Sequence, residues 1–162
     1  MPGVRSSIAP VSEAELPLLA AALRALAADL ADVYSTKEDT LAKAVCGPDS
    51  SCIALLAKRA EQAVGVVLAA PIFSTIHGGA GLYVSDLWVA PQARGEGLSR
   101  QLLAALLQEG ARRSMGRFLK LAVYHDNPNA RAAYERMGFT PHTGETSMLL
   151  SGPRLFKLKE TP

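Results

Sequence analysis

Leucines recur early in the chain at the spacing of one helix face. Leu16, Leu19, Leu23, Leu26 and Leu30 step by three and four, which predicts an amphipathic helix ending near Ala31. Ser12 and Glu13 open it, because a cap hydroxyl and first-turn acids suit the unpaired N–H groups and the positive end of the helix dipole. Residues 5–11 before it are β-leaning. A polar stretch, 32–39, leads to a short helix over 40–45, stopped at Gly47-Pro48. The period then changes. Residues 51–57 read as a strand, Ala60-Glu61-Gln62 as its turn, and 63–73 and 82–89 as long buried strands. Further on, Leu98, Leu102, Ala105 and Leu106 share one face of a helix over 98–113. A strand over 118–123 and a helix over 128–137, closed by Gly138, follow. Residues 139–150 and 155–158 read as closing strands. The order β-α-α-β-β-β-α-β-α-β-β, without repeat or linker, predicts one α/β domain over 1–162.

Composition narrows the class. A chain of 162 residues with 49% hydrophobic and 20% charged residues buries a sizeable core and is neither a disordered tail nor a disulfide scaffold. A net charge of +2 argues against an extended nucleic-acid surface. Ala and Leu supply 50 residues and Arg outnumbers Lys 11 to 6, a balance typical of GC-rich bacterial genomes. Cys46 and Cys52 lie six apart with no histidine cluster, so two small buried thiols in a reducing compartment are expected, and no metal. No charged residue occurs from Gln62 to Ser85, a length that spans a bilayer. Pro71 and the polar run Ser74-Thr75-Ile76-His77-Gly78-Gly79 interrupt it, so two strands and a loop explain it better. Residues 1–10 lack a basic region followed by an apolar one, and the expectation is a soluble, cytoplasmic protein with no membrane partner.

The informative chemistry begins where a strand ends at Val89. Gln92-Ala93-Arg94-Gly95-Glu96-Gly97 follows, and a helix starts at once with Leu98 and Ser99. Glycines let the backbone turn sharply and present its N–H groups, and a helix N-terminus adds unpaired donors and partial positive charge. In physical terms this is a pyrophosphate cradle, with Arg94 adding formal charge at its edge. A dinucleotide fingerprint needs a third glycine where Arg100 stands, and a P-loop needs Gly-Lys-Ser/Thr; neither is present. After the 118–123 strand comes Asn127-Pro128-Asn129-Ala130-Arg131-Ala132-Ala133-Tyr134-Glu135-Arg136-Met137-Gly138-Phe139. Spacing alone makes Tyr134 a core aromatic, on one face with Ala130, Ala133 and Met137.

Together the two segments resemble the GNAT superfamily of N-acetyltransferases. Gln92, Gly95 and Gly97 match its first motif; Asn127, Ala130, Tyr134, Gly138 and Phe139 match its second. The specific part covers about a third of the chain, and the element order fits the rest. The resemblance implies the acyl-CoA N-acyltransferase fold, a mixed, largely antiparallel sheet flanked by helices. It implies acetyl-coenzyme A as cosubstrate, with the loop from Gln92 through Arg94, Gly95, Glu96 and Gly97 to Leu98 and Ser99 holding the pyrophosphate. The strand end Leu87, Trp88 and Val89 would bind the pantetheine arm as an added strand, in a gap splayed from the 118–123 strand. Asn127, followed by Ala130, matches a contact to that arm, and Tyr134 matches a tyrosine near the thioester sulfur.

The implied reaction is direct attack of an amine on the thioester in a ternary complex; no cysteine lies on either motif to form an acyl-enzyme. The Val89 N–H is a natural donor to the developing oxyanion, and the Tyr134 hydroxyl can protonate the leaving thiolate. An alkylammonium with a pKa near 10.4 needs about 4.6 kcal/mol to lose its proton at pH 7. Asp86, the acid on the strand that ends at the cradle, is the candidate acceptor of that proton or a ligand of the amine. His125 and His77 read as loop residues, and Trp88 as core or substrate wall. Residues 98–140 carry seven Lys/Arg against three acids, which suits either phosphates or solvated helix faces. Asp29, Asp32, Glu38 and Asp39 surround Lys37 near Tyr34, in the region that borders the acceptor in the family. Asp32 and Tyr34 are therefore substrate candidates, and an acidic rim suits a small cationic acceptor such as a diamine, polyamine or amino acid. Some diamine enzymes of the superfamily carry an acid pair before the strand end; here Ser85 stands in the first place, leaving only Asp86. Acetylation of a protein amine and an acetyl-coenzyme A sensing module are the alternatives. A homodimer is left open, and an acyl hydrolase lacks its Gly-x-Ser-x-Gly elbow.

Overall fold

A computed structural model describes residues 5–162; residues 1–4, the start of the stretch read for a leader, lie outside the described residues. The described residues fall into two compact units, one running to Tyr124 and one from His125 to Pro162. The first contains one sheet in the order β1 (Ser7–Pro10), β2 (Ile53–Arg59), β3 (Gln62–Ser74), β4 (Gly79–Val89) and β5 (Leu119–Leu121). The first four strands run antiparallel to their neighbours and β5 runs parallel to β4, so the sheet is mixed and largely antiparallel, as expected. The charge-free run 62–85 is the β3–β4 hairpin, with Ile76 and His77 in its exposed loop. No helix among the described residues is long and apolar enough to cross a membrane.

Helices cover both faces of the sheet. On one face, α1 (Leu16–Asp29) and α2 (Glu38–Val45) bury Leu19, Leu23 and Leu41 against Ala54, Leu56 and Val66. Leu98, Leu102 and Leu106 of α3 (Leu98–Arg112) are buried, and Leu102 approaches Gly65 on the opposite face. A single turn of 3-10 helix, Glu13–Glu15, leads into α1, and the Glu15 carboxylate accepts from the Ser12 N–H and hydroxyl. Bonds from Lys58 on β2 and from Ser12 hold its carboxyl pKa at about 2. Cys46 and Cys52 are unbridged and half-buried rather than buried.

The β3–β4 ladder slips once. Leu68 pairs with Asp86 but Ala69 pairs with Val84, so Ser85 is an extra residue in β4. Leu82, which touches the α3 face at Gly110, and Val84 therefore point one way, while Asp86 and Trp88 point with Leu68 and Val66 toward the α1 face.

Gly81 is where β4 meets the chain entering β5. A Cβ there would stand 2.5 Å from the Phe118 carbonyl oxygen and 2.7 Å from its ring. That carbonyl accepts from the Leu82 N–H at 2.9 Å. Gly81→Ala is expected to destabilise the fold by about 1–3 kcal/mol through overpacking. A denaturant midpoint equal to that of the wild type would contradict this contact.

The second unit contains α4 (Pro128–Arg136) and α5 (Pro153–Lys159). It corrects two expectations. Residues 139–150 form no strand, and 155–158 belong to a helix. Gly152-Pro153 explains the second case: proline at the first helical position has the right φ and lacks only an N–H that would go unpaired anyway. Leu155 and Leu158 are three apart, a helical spacing read too readily as a strand. In 139–150 the apolar residues find no ladder, and Met148 and Leu149 are 90% exposed.

Candidate active site

Among the described residues, the end of β4 has no neighbouring strand on its outer edge. β5 pairs with β4 only along Leu82–Val84. Beyond the bulge, the Ala90 N–H donates to the Val64 carbonyl at 2.9 Å, which fixes the parity of the ladder. Alternation then turns the backbone of Trp88 toward β3 and aims the N–H and C=O of Leu87 and Val89 away from it, past the end of β5. The outward pair is thus Leu87 and Val89. Trp88 is half-buried against the α1 core, and its indole Nε1 donates to Asp29 at 3.0 Å.

The edge leads into the glycine loop. A 3-10 turn over Pro91–Ala93 buries Ala93 and leaves Gln92 exposed. Gly95 and Gly97 have φ of +79° and +76°, and a Cβ on either would meet nothing within 4 Å. Gly97 is the residue before Leu98, the buried first residue of α3, so the free N–H groups of Leu98 and Ser99 open beside it. Glu96 is paired with Arg59, which withdraws its negative charge from the loop. Arg94 donates through Nε to the Val89 carbonyl at 2.9 Å and pairs with Asp29 at 2.6 Å. An outward-facing strand edge, a turn left open at Gly95 and Gly97 and a helix N-terminus are what a pantetheine arm and a pyrophosphate need, so these residues fit acetyl-coenzyme A.

Asp86 lies at the bulge, half-buried, and accepts from the Ser85 hydroxyl at 2.7 Å. Burial raises its carboxyl pKa above the usual range, and the Ser85 bond opposes the rise. The acidic rim is partly committed elsewhere. Asp29 holds Arg94 and Trp88, Asp32 accepts from the Tyr124 hydroxyl at 2.9 Å, and Glu38 and Asp39 occupy the first turn of α2. Tyr34 packs on the α1 core with Arg24 5.1 Å over its ring, and its buried hydroxyl has no partner among the described residues. The positive patch divides likewise. Arg112 and Arg113 pair with Glu109 at the C-terminal end of α3, roughly 20 Å along the axis from the cradle.

In the second unit, Asn127 caps α4, its Oδ1 accepting from the Ala130 N–H at 3.2 Å. Tyr134 is half-buried, with its ring edge-on to Phe139 at 5.6 Å. Burial raises the phenol pKa from its ordinary value. His125 is exposed, and His77 packs against Phe118 in the hairpin loop. Sequence reasoning placed Asp29 in the acidic rim and Ser85 beside Asp86, but foresaw neither the bonds of Asp29 to Arg94 and Trp88 nor that of Ser85 to Asp86. The polar pair Ser85-Asp86 inside an apolar strand was the available signal for the latter.

Residues 19–139 match the model of the acetyltransferase (GNAT) family. The chain belongs to that family and is an N-acetyltransferase. It is 30% identical over 101 residues to the uncharacterized N-acetyltransferase YhfO of Bacillus subtilis (strain 168), covering 62% of this chain and 67% of that protein. The integron cassette protein VCH_CASS6 from the mobile metagenome of V. cholerae has a similar fold, with a TM-score of 0.75 and 21% identity over 98% of this chain and 100% of that one. The aminoglycoside N-acetyltransferase AAC(6')-Iy, solved with CoA, superposes with a TM-score of 0.74 and 17% identity over 94% of this chain and 99% of that one.

Proposed function

We propose that the protein transfers the acetyl group of acetyl-coenzyme A to a primary amine of a small cationic acceptor, by direct attack in a ternary complex. The observation that carries this is the outward edge of Leu87 and Val89 running into the open turn at Gly95 and Gly97. Acetyl-coenzyme A supplies an activated thioester. Leu87 and Val89 bind its arm through their backbone, and the loop N–H groups from Gln92 to Ser99 bind its phosphates. Arg94 leaves the Val89 carbonyl to an amide of the arm and turns its charge to the phosphates. The Val89 N–H stabilises negative charge on the thioester oxygen during attack. Asp86 receives the proton of the amine, its raised pKa narrowing the gap to the ammonium group. Tyr134 protonates the departing thiolate and regains the proton that the nitrogen sheds as the amide forms, and Asn127, with Ala130 on α4, contacts the arm, both by their match to the family motif.

The acceptor class rests on charge. Asp86, Asp29 and Asp32 all belong to β4 or to the C-terminal end of α1 and its following loop, and the orphaned Tyr34 hydroxyl suits a polar acceptor group. Diamines, polyamines and amino acids fit this description. So do aminoglycosides, multiply cationic amines named among the fold neighbours.

Acetyl-coenzyme A at ~100 times its dissociation constant is expected to stabilise the fold by about 2.7 kcal/mol. For a chain of this size that is a melting rise of roughly 5–11 °C. Free thiol should then appear only when an acceptor amine is added. An unchanged melting curve of folded protein would sink the cofactor assignment. A full shift with no thiol release across a panel of cationic amines would favour the sensing module instead.

A further inference from the structure

The Ser85 hydroxyl has two acceptors and one proton. It lies 2.7 Å from Asp86 Oδ2 and 3.3 Å from the Leu68 carbonyl oxygen on β3. The bulge creates this geometry by inserting Ser85 between Val84 and Asp86, so that adjacent side chains meet along one strand. We propose that Ser85 is the positioning residue of Asp86, orienting its carboxylate and exchanging hydrogen-bond direction when that carboxylate takes up a proton. The proposal rests on the reading of Asp86 as the proton acceptor.

The exchange balances. With Asp86 ionised, the Ser85 O–H donates to Oδ2. When the acceptor's ammonium gives up one proton to Oδ2, directly or through one water, the ammonium becomes an amine and the carboxylate a carboxylic acid. The new Oδ2–H then donates to Ser85 Oγ, and the Ser85 O–H turns to the Leu68 carbonyl. In both states Oδ2 of the half-buried carboxyl keeps a hydrogen bond to Ser85, whose loss would otherwise be costly. A plain alternating strand has no such partner for a carboxyl at this position.

Other groups around the site leave the pair intact. From α1, Arg24 lies over Tyr34 and Asp29 is held by Arg94 and Trp88. β3 carries no titratable residue from Gln62 to Ser74. Tyr83 on β4 and Lys120 on β5 face each other in register beyond the bulge. Burial raises the Asp86 pKa and the Ser85 bond lowers it.

Ser85→Ala is the test, with Ser85→Thr as the conservative control and Asp86→Asn as the reference for a missing base. The Asp86 carboxyl is titrated by carbon NMR in the free protein, independently of turnover. Losing a donor to the ionised form should raise its pKa by about 0.5–1 pH unit. The acid limb of kcat/KM should move to higher pH by the same amount, while Ser85→Thr keeps the wild-type limb. A carboxyl titration unchanged in Ser85→Ala overturns the proposal. Normal turnover and an unaltered limb in Asp86→Asn would instead remove Asp86 as the base, and the positioning role with it. Denaturant midpoints measured alongside ensure that folded populations are compared.

Discussion

Tyr134→Phe should cut turnover by about 10²- to 10⁴-fold, the usual worth of a positioned general acid. The substitution removes one oxygen and keeps the ring that meets Phe139 edge-on. An ordinary phenol, with a pKa of about 10, is already protonated at neutral pH, and burial shifts Tyr134 further the same way. In the proposed function cofactor binding rests on the β4 edge and the glycine loop, so it should survive within a few-fold. The signature is selective: turnover lost, the acetyl-coenzyme A melting rise kept. A purely structural tyrosine would behave differently. A hydroxyl with a packed partner costs about 1–3 kcal/mol of stability when removed, and leaves chemistry alone. Near-normal turnover in the Phe variant would defeat the acid role.

Gly97→Asp is expected to abolish the melting rise produced by acetyl-coenzyme A. The backbone there is left-handed, a conformation that Asp tolerates better than most residues, and a Cβ meets nothing within 4 Å. The variant should therefore fold. Its carboxylate would occupy the space that the cradle reserves for a pyrophosphate and repel it. Gly97→Asn, the neutral counterpart, separates charge from bulk and should retain part of the rise. Isothermal titration with coenzyme A measures both, and wild-type affinity in Gly97→Asp would rule out the cradle.

Much of this was legible in the residues, because helices and glycine turns are encoded locally. Leucines at three and four spacing gave α1 and α3, and Gly95 with Gly97 marked the loop whose positive φ values the structure requires. Pairing is not local, and there the reading failed. Met148, Leu149 and Leu150 look like strand residues, but a strand needs a neighbour's ladder, and 139–150 has none among the described residues. The bulge was hidden for a related reason. Strict alternation places Leu82, Val84, Asp86 and Trp88 on one face, whereas the extra residue divides them between α3 and α1. That division makes Asp86 a half-buried neighbour of Trp88 rather than an acid in the α3 core. Side-chain partnerships such as Asp29 with Arg94, 65 residues apart, lie beyond any spacing rule.

In concentrated solution the ligand-free protein carries a risk at the same strand end. Outward N–H and C=O groups at Leu87 and Val89 are a template on which another chain's strand can grow, and such edges are common starting points of aggregation. The Arg94 side chain blunts the edge by capping the Val89 carbonyl and setting a charge beside it. A ligand laid along those groups would shield the rest of the edge from such pairing.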